Sequence, residues 1–331
     1  MRLVLDKFGV YVRKKGNRFE ILFPKEKKGK EYSADKISQI LFLKSAAISS
    51  EAIRLAMDKN IDILYLDLSG RPFARIYPCT LGGTTLTRKY QAEAYFSDKG
   101  THIVKKIVEG KIKNQINFIK SLAKDKKDLK NNLNSFIENY NKALIDLNKI
   151  NGPIDKIKNK LLGIEGFIAA DYFNKLSLII PIIRRDPKLK DECNIVLNYA
   201  YGVLYSEVER ACILSGLDPY LGYYHSDRYG KPCLVLDLIE EFRTPIADRT
   251  VVTLFSRKEI KKEHFDESGG LHLSSKGRKK IIEAMLKRLH TKIKYNGKKW
   301  SFQNIILNQS RVLAQYLLGN RREYLPFIHN W

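Results

Sequence analysis

Short runs in which apolar and polar positions alternate open the chain. The stretch "RLVLDKFGVYVRKKGNRFEILFP" holds three β-runs, punctuated by Asp6–Gly9 and by Lys15-Gly16-Asn17, the second a good hairpin signal. Further strand-like runs follow at 37–43, 61–67 and 72–77, with "SGRP" (69–72) turning between the last two. Between them "SSEAIRLAMDKN" reads as a short helix capped by Ser49 or Ser50. The β-rich portion ends near Pro78, and "CTLGGTTLT" (79–87) has the texture of a linker. From about Arg88 onward apolar residues recur three and four apart over long segments, which predicts helices. The stretch around 257–275, with "ESGGLHLSSKG", reads as a loop or short hairpin within that helical region. The pattern predicts an α+β chain: a small β-rich domain (1–80), a linker (81–90) and a larger all-α domain (91–331). A length of 331 residues also favours two domains.

Composition changes the picture through charge. Sixty Lys and Arg stand against 36 Asp and Glu, a formal net charge of +24. The excess is regional: residues 101–160 hold 14 Lys against 6 acids, and residues 257–299 hold 14 Lys and Arg against 5. A coat of lysine typical of a thermophilic proteome would be more even, so two basic blocks argue for a surface that binds a polyanion, nucleic acid first. An anionic membrane surface is the weaker candidate. The most apolar stretch, "LSLIIPII" (176–183), is too short to span a bilayer and contains Pro181. Cys79, Cys193, Cys212 and Cys233 show no metal-type spacing and read as reduced residues of a cytoplasmic protein. No phosphate-binding loop or nucleophile elbow is present, and "GGTT" is too short to cradle a nucleotide. The tyrosine-rich "NYAYGVLY" (198–205) has the helical spacing of core.

Against this basic background a few carboxylates occupy apolar surroundings. Glu165, three and four positions from Leu161, Leu162, Ile168 and Ala169, points along the apolar side of its helix. A carboxylate there needs a buried Lys or Arg, or a bound cation. Gly163 and Gly166 beside it would admit another backbone. In "GYYHSDRYGKPCLVLDLIEEFRTP" (222–245), Asp237, Glu240 and Glu241 would share one face of a mostly apolar helix that kinks or ends at Pro245. A "DRYG" turn before it can fold His225 back onto these acids. His102, His264, His272, His290 and His329 have no such company and read as structural. One imidazole with two or three carboxylates is poor for zinc and suits Mg²⁺ or Mn²⁺. Such an ion inside a basic protein would polarise a phosphodiester.

Together these segments resemble the CRISPR-associated protein one family, the spacer-acquisition integrase and endonuclease. "LLGIEGFIAADYF", "LNYAYGVLYSEV" and "GLDPYLGYYHSDRYGKPCLVLDLIEEFRTPIADR" carry the resemblance, with "EGKIKNQ" (109–115) and "LPF" near the C-terminus in the same order. Many members run Phe-Arg-Pro after the acids, whereas here Thr244 separates Arg243 from Pro245. The resemblance implies a β-sandwich-like N-terminal domain that joins a homodimer and an α-helical catalytic domain. It implies assembly with CRISPR-associated protein two and binding of double-stranded DNA, both spacer DNA and the CRISPR repeat. By position, the family's metal ligands fall on Glu165, His225 and Glu240, with Asp237 as a catalytic-site acid that supports a ligand or is itself an alternative ligand. The implied reaction is metal-dependent transesterification of a DNA 3′-hydroxyl into the repeat array, with hydrolysis when water replaces that hydroxyl. Two alternatives would use the same residues differently: a metal-dependent nuclease acting on branched DNA in repair, and a non-catalytic nucleic-acid scaffold whose carboxylates are buried ion pairs.

Overall fold

The computed structural model describes residues 2–24, 26, 28–68, 70–79, 83–225 and 230–331. The chain divides into two compact units, Met1–Leu81 and Gly82–Trp331.

The first unit is two four-stranded sheets. One is ordered β1 (Arg2–Leu5), β5 (Gln39–Phe42), β7 (Asp62–Leu66) and β8 (Pro72–Ile76), parallel except for β8. The other runs β4 (Lys30–Ser33), β3 (Arg18–Leu22), β2 (Val10–Lys15) and β6 (Ala46–Ile48). Strands β2 and β3 pair antiparallel across Gly16-Asn17, where Gly16 takes the left-handed φ of +59° that the tight turn needs. Because side chains alternate across a strand, Ile40 and Phe42 of β5 enter the core with Val10, Val12, Phe19 and Ile21, while Leu41 faces the other side with Leu64 and Leu66. Helix α1 (Ser50–Asp58) closes this core with Ala52, Leu55 and Ala56, and the Ser49 hydroxyl caps it by accepting from Ala52 N at 3.2 Å. Strands β4 and β6 escape the sequence pattern because they are short and largely polar or half-exposed.

The second unit is helical. Helix α2 (Thr84–Tyr95) begins inside the stretch expected to be linker, so residues 84–90 are already wound. Its partner α3 (Asp98–Ala123) is the long central rod, against which α5 (Leu133–Lys149) and α6 (Ile154–Leu176) pack, with the short α4 (Lys127–Asn131) between. Helix α7 (Glu192–Leu214) lies against α8 (Cys233–Leu238), α11 (Ser275–His290) and α12 (Phe302–Leu317). Between α8 and α11 the chain forms α9 (Glu240–Phe242), a wide π-helical turn (Arg243–Asp248) and α10 (Arg249–Ser256). Pro245 therefore does not end the helix: it sits in the wide turn, where its missing N–H interrupts no α-helical ladder. The hairpin expected near 257–275 is the two-residue ribbon β9 (Phe265–Asp266) and β10 (His272–Leu273). A second ribbon, β11 (Lys292–Tyr295) and β12 (Lys298–Ser301), turns at Asn296-Gly297 with both residues at positive φ.

Candidate active site

Three helical segments and one loop bring the site together. The loop comes first, because it carries His225 to its place. Gln91 of α2, almost fully buried, donates to Asp218 O at 2.8 Å and Leu221 O at 2.7 Å and accepts from Asp218 N at 2.8 Å. Gly222 lets the loop lie on the start of α8: a Cβ there would come within 2.5 Å of the Cys233 carbonyl carbon. The turn expected at "DRYG" (227–230) falls, apart from Gly230, outside the described residues.

Asp237 then draws the loop in. Its Oδ2 accepts from Tyr223 N at 2.6 Å and Tyr224 N at 3.0 Å, and its Oδ1 accepts from His225 N at 3.0 Å. The same Oδ1 stands 2.8 Å from His225 Nδ1. Four contacts explain how a carboxylate with no exposed surface is tolerated. A carboxylate only accepts, so Nδ1 carries the proton and a neutral His225 presents its Nε2 lone pair. Burial disfavours the imidazolium, but the hydrogen bond and charge of Asp237, with Glu240 and Glu165 behind, raise its pKa overall.

Glu240 and Glu165 meet over α3. The Lys111 ammonium lies 2.6 Å from Glu240 Oε2 and is in direct contact with Glu165 Oε1. Arg243 Nε is 2.9 Å from Glu240 Oε1, and the Tyr224 hydroxyl donates to Glu165 Oε2. Burial opposes ionisation of Glu240, yet Arg243, Lys111 and His225 outweigh it and hold the carboxyl below its ordinary range. Burial and Glu165 push the Tyr224 phenol up, so it stays a donor. The Glu165 side chain keeps 14% of its surface exposed and His225 29%, so the site opens to solvent on their side.

The expectation that Asp237, Glu240 and Glu241 share one face is corrected. The helix breaks between α8 and α9, and the three acids take three directions. Glu241 is fully buried away from the site, accepting from the Tyr324 hydroxyl and from Phe327 N at 2.7 Å. Burial, only partly offset by these bonds, pushes its carboxyl up to about 8. Beside it Asn114 donates to Glu241 O at 2.8 Å and Phe327 O at 2.9 Å and accepts from His329 N at 2.7 Å. The C-terminal tail is thus latched to α3 and α9. The glycine expectation at 163 and 166 also fails: a Cβ at either would meet open space. The close approach occurs at Gly110, where a Cβ would sit 2.7 Å from Pro326 Cβ.

Lys111, Arg243, Tyr224 and Gln91 were not singled out from the residues. The signal for Lys111 was present in "EGKIKNQ": a lysine one residue after a buried glycine and three before the buried Asn114 on a helix needs a carboxylate partner. The remaining histidines have other partners; His264 Nδ1 accepts from Lys261 N, and His102 Nε2 lies 3.2 Å from Tyr324 O.

The donor set fits a hard divalent ion: two carboxylates already converge on one cationic centre, and the Nε2 of an imidazole beside them has no hydrogen-bond partner among the described residues. As the side chains stand, Lys111 holds that centre, and among the described residues no three His, Cys, Asp or Glu groups converge on one point.

The chain is similar over nearly its whole length to known proteins. A CRISPR-associated endonuclease Cas1 of Archaeoglobus fulgidus is 34% identical over 349 aligned positions, covering all of both chains. One from Thermus thermophilus is 29% identical over 96% of this chain and 94% of its own. In fold the chain resembles a casposase bound to integration product (TM-score 0.81, 23% identity, 98% of this chain and 92% of that one). It also resembles a Cas1 protein from Thermotoga maritima (TM-score 0.79, 21% identity, 99% and 100%). The family model described as CRISPR associated protein Cas1 matches residues 3–287, and the chain belongs to that family.

Proposed function

We propose that this protein is a metal-dependent DNA integrase and endonuclease of CRISPR adaptation. In this reading it joins the 3′-hydroxyl ends of short duplex DNA into the repeat array by transesterification. The observation that carries the proposal is the convergence of Glu165 and Glu240 on a single cation, next to a histidine oriented by Asp237. Relatives named as endonucleases, and a fold neighbour whose structure holds an integration product, support it.

Glu165, Glu240 and the Nε2 of His225 would hold Mg²⁺ or Mn²⁺, which when bound supplies Lewis acidity to the scissile phosphodiester. Asp237 fixes the tautomer of His225 and keeps Nε2 aimed outward from its loop. Tyr224 orients Glu165. Lys111 and Arg243, released in part from the carboxylates, offer positive charge to the non-bridging phosphate oxygens. The bond formed joins the attacking 3′-oxygen to phosphorus; the bond broken frees the 3′-oxygen of the repeat strand, which takes up a proton.

The partners follow the same reading. The two basic blocks fall largely on α3, α5 and α11 with the β11–β12 ribbon, and would grip DNA phosphates. The first unit exposes Phe8, Leu68 and Phe73, apolar surface suited to a homodimer contact. Fold neighbours described as Cas6-RT-Cas1–Cas2 complexes support assembly with CRISPR-associated protein two. No helix among the described residues is long and apolar enough to cross a membrane.

The test is strand transfer on branched DNA with a free 3′-hydroxyl and Mn²⁺, comparing wild type with Glu165→Ala, His225→Ala and Glu240→Ala. Each variant is expected to lose joining while retaining DNA binding; joining that persists in all three would refute the assignment. One observation favours the scaffold reading: Lys111 and Arg243 already neutralise Glu240. Mn²⁺ separates the two, since a ligand of the native state raises the melting temperature of wild type and not of Glu240→Ala.

A further inference from the structure

Away from the carboxylate site, α10 and α11 enclose a cavity of about 360 Å³ whose walls include Arg249, Arg257, Lys280, Lys287 and Arg288. A second cavity of about 370 Å³ shares Arg249 and Arg257 with it and reaches Trp331. Two acids line the first cavity. Glu259 is engaged by Lys280 at 2.6 Å, and Glu283 is exposed. Five cations against two carboxylates leave the first cavity strongly positive.

The unmet groups around these cavities are all donors. Arg288 spends Nε on Pro245 O at 2.9 Å and stacks its guanidinium 4.4 Å from the Phe302 ring centre, while its buried Nη2 has no acceptor among the described residues. Trp331 has a buried indole N–H with no acceptor either. Arg249 stands over the Phe118 ring at 5.8 Å, and no carboxylate pairs with it among the described residues. Burial, reinforced by Arg249, lowers the Arg288 pKa to about 10, and burial with Arg257 lowers that of Arg249. Cations in excess over the two carboxylates repel one another, and a buried N–H without an acceptor forfeits the hydrogen bond it makes with water in the unfolded chain. An anion rich in acceptor oxygens relieves both.

We infer that the cavity between α10 and α11 is a binding site for a phosphate group, seated by Arg249, Arg257 and Arg288. Its volume lies at the low end for small-ligand pockets. No aromatic ring lines this first cavity to stack a base, so recognition rests on the phosphate itself. The phosphate belongs either to a small phosphorylated compound or to the end of a DNA strand, and the experiment distinguishes them. The site shares no residue with the carboxylate cluster, so it stands whether or not that cluster performs strand transfer.

Inorganic pyrophosphate is the probe, titrated into the full chain with EDTA present and at 150 mM NaCl to screen diffuse surface binding. Wild type is expected to gain melting temperature in proportion to the logarithm of pyrophosphate above Kd, about 4 °C at ten times Kd. Arg257→Ala, on the exposed rim, and Arg249→Gln are each expected to weaken binding at least tenfold, whereas Glu240→Ala binds as wild type does. No shift in wild type, or wild-type affinity in both arginine variants, overturns the site. A single-stranded oligonucleotide is then added with a 5′-phosphate or a 5′-hydroxyl. Displacement of pyrophosphate by the phosphorylated strand alone assigns the site to a DNA end. Displacement by neither assigns it to a free phosphorylated compound, and equal displacement by both shows diffuse polyanion binding and overturns it.

Discussion

Lys111 lies 2.6 Å from Glu240 and also touches Glu165, so one ammonium is shared by two carboxylates from different helices. The three elements that build the site are therefore held together by charge as well as by packing. A Lys111→Met substitution leaves the buried Glu240 and the partly buried Glu165 facing each other. Removing one partner from such a pair costs about 3–5 kcal/mol. Mn²⁺ should restore a large part of that loss and should bind the variant more tightly than wild type, because it no longer competes with a tethered cation. Denaturant melts with and without Mn²⁺ check both points. Equal Mn²⁺ affinity in the two proteins would show that the ion and the ammonium occupy different places.

Asp237 works through the loop it holds. Asp237→Asn keeps the shape but replaces an acceptor pair with an amide that can accept at only one atom. Three backbone N–H groups and His225 Nδ1 then compete for it. Strand joining is expected to fall about 10–100-fold, as for other residues that orient a metal-ligating histidine. The protein should also lose about 2 kcal/mol. Histidine side-chain nitrogen chemical shifts provide the separate readout: in the variant the Nδ1–H tautomer of His225 should cease to dominate.

The tail latch has a steric half and a polar half. Gly110→Ala drives a methyl to 2.7 Å from Pro326, which the packed tail relieves only by shifting, at about 1–3 kcal/mol. Glu241→Ala leaves Phe327 N and the Tyr324 hydroxyl without their acceptor, at about 2–4 kcal/mol in total. Limited proteolysis should cut both variants between residues 318 and 331 at protease concentrations where wild type resists.

Acid should loosen the same tail. Burial, with Arg288 and Arg249 nearby, lowers the His329 pKa to about 4. The folded state prefers the neutral ring, so the unfolded chain binds the extra proton as pH drops below about 6.5. Stability contributed by the neutral ring is present above that pH and is lost as pH falls through about 4. The change amounts to about 2 kcal/mol after allowing for the solvent that reaches the ring. Urea midpoints of wild type and His329→Phe between pH 7 and 4 should converge as the wild type loses this contribution.

Legibility from the sequence divides along physical lines. The N-terminal strands and α1 could be read because alternation and a serine cap are local signals, and Gly16-Asn17 marks its own turn. Asn296-Gly297 carried an equally local signal, but the surrounding lysines hid the ribbon behind the expectation of helix. Glu165, His225, Asp237 and Glu240 were found as carboxylates and a histidine in apolar company, and the structure brings them to one neighbourhood. Their partners were not found. Lys111 is 54 residues from Glu165, and Gln91 is 127 from Asp218. Pairings at such separations leave no periodic trace in one sequence. The face shared by Asp237, Glu240 and Glu241 was misjudged because helical phase was carried straight through a break that no glycine or proline marks.

The wide turn Arg243–Asp248 also has a geometric effect. A π-helical turn takes up about one residue more than an α-turn, and one residue of α-helix corresponds to about 100° of rotation. The helix that leaves the turn is thus re-aimed relative to the one that enters. Arg243 looks back toward Glu240, while Arg249, six positions on, looks into the cavity beside α11. Removing a single residue here would leave every local contact type available yet turn the face of α10 by about 100°, a little more than a right angle. The chain would keep its helices and lose its compass.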